Sequence, residues 1–115
     1  MAALAALTAL SGCAGQPERP SAELTRAQTV IAQAEKSDTQ QFAASELQQA
    51  RDKLNQAELA SKDGRNAEAE RLAMQAALDA EYATAKASNA QAQKAAEELE
   101  RSIEALRQEA ARPSS

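Results

Sequence analysis

Small and branched apolar residues recur along the chain at the spacing of one helix face, in three successive stretches. The first is Leu24, Ala27, Ile31 and Ala34, at i, i+3, i+7 and i+10, which predicts a helix over 21–37. Ser37-Asp38-Thr39 interrupts it with residues that favour caps and turns. The second stretch is Leu47, Ala50, Leu54 and Ala57, with the same intervals, and predicts a helix over 43–62. Asp63-Gly64-Arg65-Asn66 is the clearest turn: Gly64 can take the left-handed conformation that ends a helix, and Asn66 can cap the next. Ser21 is the matching cap for the first helix, and Ser45 with Gln48 has the spacing of a capping box.

The third stretch dominates the chain. From Ala67 to Ala111 there is no Gly and no Pro, which predicts one helix over 66–111, roughly 65 Å long at ~1.5 Å per residue. Ala69, Leu72, Ala73, Ala76, Ala80, Ala83, Ala87 and Ala90 form its stripe, small enough for close helix approach. From Leu99 the stripe changes to Leu99, Ile103, Leu106 and Ala110, a 4-3-4 spacing that does not continue the alanine register. These elements predict an all-α fold: an antiparallel three-helix hairpin bundle with a long, coiled-coil-like projecting C-terminal helix. Folding back at Gly64 should set Leu47 near Tyr82, with Phe42 close by as an aromatic plug. About the last 24 residues of the third helix should then project ~35 Å beyond the bundle. Residues 112–115 should be a disordered tail.

Composition sharpens this picture. Hydrophobic residues make up 43% of the 115, but alanine supplies most of them and aromatics are 2%. Alanine is the best helix former and a poor core residue, since a buried methyl contributes ~0.8 kcal/mol against about 1.5–3 for a leucine-sized side chain. The expected result is a very helical domain with a thin core. The net charge of −4 is spread in both signs without a basic patch, which argues against a nucleic-acid partner. With no histidine, neither a hydroxyl-nucleophile triad nor a Glu-x-x-His metal site can be assembled. The acids Glu97, Glu98, Glu100 and Glu104 read as a solvated face, supported by pairs such as Glu97 with Arg101. No catalytic residue, metal, cofactor or small-molecule substrate is expected.

The N-terminal stretch carries a different signal. Residues 1–12 are small and apolar and lead into Leu10-Ser11-Gly12-Cys13. This resembles the cleavage motif of bacterial lipoproteins, which implies a signal peptide over 1–12. By that resemblance Cys13 carries a diacylglycerol on its thiol and an amide-linked acyl chain, palmitate-like, on its amine. The basic opening usual for such signals is missing before Arg19, so the expected authentic start lies upstream or the segment is truncated. The apolar run is too short for a membrane-spanning helix, which needs ~20 residues. Ala14 stands where enteric lipoproteins retained in the inner membrane carry aspartate. The implied location is the periplasmic face of the outer membrane, with residues 13–20, rich in Gly and Pro, as a tether.

The segment Ala43-Ala44-Ser45-Glu46-Leu47-Gln48-Gln49-Ala50-Arg51-Asp52-Lys53-Leu54, with Asp63-Gly64-Arg65, Ala69-Glu70-Arg71-Leu72-Ala73 and Asp79-Ala80-Glu81, resembles the alanine-rich helical family filed as domain of unknown function 4398. That family is common in proteobacterial envelope lipoproteins, and the resemblance covers roughly Leu24 to Ala87. The plan is more distantly similar to murein-lipoprotein-type rods, although an ending of Pro113-Ser114-Ser115 offers no lysine for attachment to the wall. Gly64-Arg65-Asn66-Ala67-Glu68-Ala69 with Ala76-Ala77-Leu78-Asp79 is similar to one tetratricopeptide hairpin, a unit that needs about three copies to bury its faces. The expected role is non-enzymatic: an envelope spacer or protein-interaction module. The alternative is an adaptor that regulates an envelope complex through its C-terminal docking helix. In either case Leu99, Ile103 and Leu106 are the expected seam for self-association or a helical envelope partner.

Overall fold

The computed structural model describes residues 21–114. Among them there are helices and no strands: α1 (Ser21–Lys36), α2 (Thr39–Phe42), α3 (Ala44–Lys62) and α4 (Asn66–Ala110). The shape is elongated, because α4 alone is 45 residues long, about 66 Å at helical rise. No helix among the described residues is long and apolar enough to cross a membrane.

Register follows from polar pairs between helices. Lys53 Nζ lies 2.5 Å from Asp79 Oδ2, and Lys86 pairs with Glu46. In both pairs the two residue numbers add to 132, so α3 and α4 run in opposite directions. Arg51 to Glu35 (2.7 Å) and Gln28 to Glu58 (3.0 Å) likewise oppose α1 and α3. Arg26 to Glu81 and Asp38 to Gln91 keep nearly constant separations in sequence, so α1 and α4 run in the same direction.

The core lies along the faces the periodicity marks. Ala27, Ile31 and Ala34 from α1, Leu47, Ala50 and Ala57 from α3, and Ala69 through Ala87 from α4 are buried together. Leu24, Val30, Phe42 and Leu54 pack at its edge. Among the described residues, thirteen of the sixteen that are buried and apolar are alanine. Helices with methyl-sized contacts approach closely, but each contact buries little area. The largest fully buried side chains are Leu47 and Thr39.

The turn at Gly64 has the expected left-handed geometry, with φ of 76°. Arg65 N–H donates to Ala60 O at 2.8 Å and Gly64 N–H to Ser61 O at 3.1 Å, the two bonds of a Schellman ending. Arg65 clamps the turn with its guanidinium between Asp63 and Glu68, which hold its pKa above the ordinary value. Asn66 is the first residue of α4 and not its cap; Arg65 occupies the cap position, and its side chain makes no capping bond to the helix. Ser45 is also inside a helix, since α3 begins at Ala44, and no capping box forms there. α4 ends at Ala110, and Arg112 is tied back by its backbone bond to Glu109 O and its ion pair with the Glu109 carboxylate.

The first loop departs further from expectation. Residues 39–42 form a helical turn, α2, instead of open loop, and Ala43 at φ −146° breaks the chain before α3. Thr39 is fully buried and its hydroxyl meets the Ser37 hydroxyl at 2.5 Å. Ser37 in turn donates to Ala34 O at 2.8 Å, so the relay satisfies a carbonyl at the end of α1.

Candidate interaction surface

α2 decides how much of α4 is covered. The last fully buried residue of α4 is Ala87, and every residue from 91 to 110 is exposed. Asp38 accepts a hydrogen bond from Gln91 Nε2 at 2.8 Å, and Phe42 shares a shallow groove with Gln91, Lys94, Ala95 and Glu98. The hydrogen bond ties α4 to the preceding loop at Gln91, and the groove beside Phe42 runs on to Glu98. The exposed run from 91 to 110 is about 28 Å long at helical rise. The loop before α3 is a helical turn that extends along this part of α4.

The expected aromatic cluster is corrected by the same fact. Phe42 faces Gln91 to Glu98, while Tyr82, about 13 Å further back along α4, is 61% exposed. The α3–α4 register and the extra turn of α2 carry Phe42 past the tyrosine.

The three seam residues fall on the uncovered segment. Leu99 is 62% exposed, Ile103 41% and Leu106 70%. Around them Arg101 lies 3.9 Å from Glu97, and Gln108 donates to Glu104 at 3.0 Å, both one turn apart on the solvated side. Leu10, Ser11, Gly12 and Cys13 lie outside the described residues. Among the described residues, no cluster of His, Cys, Asp or Glu is placed to hold a metal ion.

Sequence reasoning missed further exposed apolar residues on α4: Met74, Leu78 and Tyr82. The signal was present. Counting back from Leu99 in alternating steps of three and four reaches Tyr82 and Leu78, on a face other than the alanine stripe.

A family model described as Domain of unknown function (DUF4398) matches residues 22–99. The chain belongs to this family. The DUF4398 match is longer than the stretch of resemblance seen in the sequence and ends at Leu99, one residue beyond the last contact of α4 with the groove beside Phe42. The DUF4398 region thus contains the part of the chain that packs on itself, and Ile103 and Leu106 lie outside it. No curated protein matches the chain, and no solved structure does.

Proposed function

We propose that the protein is a non-enzymatic lipoprotein, anchored through Cys13 to the periplasmic face of the outer membrane, whose helical domain is an envelope spacer or protein-interaction module. In this reading the domain is an antiparallel three-helix hairpin bundle, and α4 projects from it away from the membrane. The observation that carries it is the exposure of Leu99, Ile103 and Leu106 on a helix beyond the last intramolecular cover. Apolar side chains aligned on an uncovered helix face are an interaction surface in search of a partner. The anchor rests on the resemblance of Leu10-Ser11-Gly12-Cys13 to a lipoprotein cleavage motif. Multiple acyl chains there would hold the protein stably where a single chain is marginal.

The test is membrane fractionation of the wild type and Cys13→Ala, with and without an inhibitor of the lipoprotein signal peptidase. Wild type sedimenting with outer membranes, and losing maturation on mutation or inhibition, supports the reading. A soluble, unprocessed protein in every arm removes the anchor. A chain that is anchored but engages one regulated envelope complex through α4 is the adaptor alternative.

A further inference from the structure

We propose that the outer face of α4 is a parallel, in-register coiled-coil seam that pairs with a second copy of this chain. The inference rests on reading α4 as an interaction helix and names its partner. Of the seven large apolar residues exposed among the described residues, six lie on α4, and five of these are Leu78, Tyr82, Leu99, Ile103 and Leu106. These five fall on one unbroken 4-3 repeat that runs from Leu78 to Ala110. Asn89 occupies one more position of that repeat and alanine the other four, and all ten are exposed. The repeat spans more than four heptads, beyond the three to four that make a coiled-coil pattern convincing. It lies away from the alanine stripe, so α1 and α3 do not cover it. A strict seven-residue repeat drifts ~20° per heptad around a straight helix, and a left-handed supercoil with a matching helix removes the drift.

Residue identities select the partner and its direction. Assigning Leu99 to d places Leu78 and Leu106 also at d and Ile103 at a, the arrangement that favours two parallel strands. Asn89 falls at an a position. In a parallel, in-register pair it meets Asn89 of the other copy, and the two amides satisfy each other. The antiparallel alignment that overlaps the whole seam sets Asn89 against Leu99 and leaves its amide unpaired in an apolar layer. Flanking charges agree with the parallel register. Across the seam, Glu81 of one copy approaches Lys86 of the other, and none of the following flanking pairs sets like charges together. Within one chain Glu81 pairs with Arg26 of α1 and Lys86 with Glu46 of α3, so the pair across the seam exchanges those contacts.

The experiment uses the full chain carrying Cys13→Ser, which removes its single thiol. Sedimentation equilibrium should show a dimer, and Ile103→Asp should raise its dissociation constant at least about 30-fold, the loss of one buried hot spot. Circular dichroism of that variant should keep its helical signal, since Ile103 is outside the core. Adding Leu106→Cys should give a disulfide-linked dimer under mild oxidation, because paired d positions bring the two Cα atoms within bridging range. In the antiparallel alignment the two Leu106 positions lie ~36 Å apart and no such bridge forms. A wild-type monomer, a dimer indifferent to Ile103→Asp, or failure of the Leu106→Cys bridge overturns the proposal. A monomeric Cys13→Ser chain, with the unmutated chain still fractionating with outer membranes through Cys13, would refute the second copy alone and leave the anchor standing.

Discussion

Asp38 and Gln91 are joined by a 2.8 Å hydrogen bond between side chains 53 residues apart in sequence. The contact sets the loop after α1 against the distal half of α4. With Phe42 on the adjoining turn, it fixes where the self-packed part of the chain gives way to free helix.

Phe42→Ala should loosen that boundary. Phe42 is half-buried, so the loss should fall below the ~3–5 kcal/mol of a fully buried phenylalanine. Amide exchange should accelerate first at residues 91–98, with little change around the Gly64 turn. Uniform acceleration along α4 would mean the turn does not brace the arm.

Leu47→Ala should be the most damaging single truncation. Leu47 is 0% exposed in a core made almost entirely of methyl groups, and a leucine-to-alanine change at such a site costs about 3–5 kcal/mol. Ala76→Leu tests the opposite error. Ala76 is also fully buried, and forcing a larger side chain between close helices should cost about 1–3 kcal/mol. Urea denaturation of both variants measures this, and a neutral Ala76→Leu would show that the helices can separate freely.

Gly64→Ala should cost about 1–2 kcal/mol from backbone strain alone, because φ is 76° and an added Cβ meets nothing within 4 Å. Gly64→Asn should cost less, since asparagine tolerates the left-handed region. Equal losses for the two, read from thermal midpoints, would point to crowding and not backbone conformation.

The Glu46–Lys86 pair makes a pH-dependent contribution. The Lys86 hydrogen bond holds the Glu46 carboxyl below its ordinary 4.5, and Glu46 in turn holds the Lys86 ammonium above its ordinary 10.5. A lowered acid stabilises the fold above its unfolded pKa, and that share is lost as pH falls through the lowered value. A raised base stabilises below its unfolded pKa and loses that share as pH rises through the raised value. The difference in urea midpoint between wild type and Lys86→Met should therefore be flat from about pH 5 to 10 and shrink outside that window. The groups are partly exposed, so the difference should be small and should diminish with salt.

Much of the fold was legible because alanine, leucine and isoleucine recur at helical spacing on three faces. Leu47, Ala50 and Ala57 are buried where that spacing places them, and Gly64 adopts the conformation its position in the turn requires. The missing caps at Ser45 and Asn66 show the limit of local patterns. A capping motif competes with the chance to extend a helix, and here each helix starts early, at Ala44 and at Asn66, so the expected caps lie inside it.

The sequence by itself determined the helices, their inward faces and the uncovered character of Leu99, Ile103 and Leu106, since those are set by propensity, by a period of 3.6 residues and by a third helix far longer than the two before it. Only the tertiary structure decided that α2 forms, that Phe42 reaches Gln91 to Glu98, and that Tyr82 is left in solvent. Those outcomes depend on inter-helix register. Ion pairs such as Lys53 with Asp79 and the close fit of alanine faces hold that register, and both act between residues far apart in the chain.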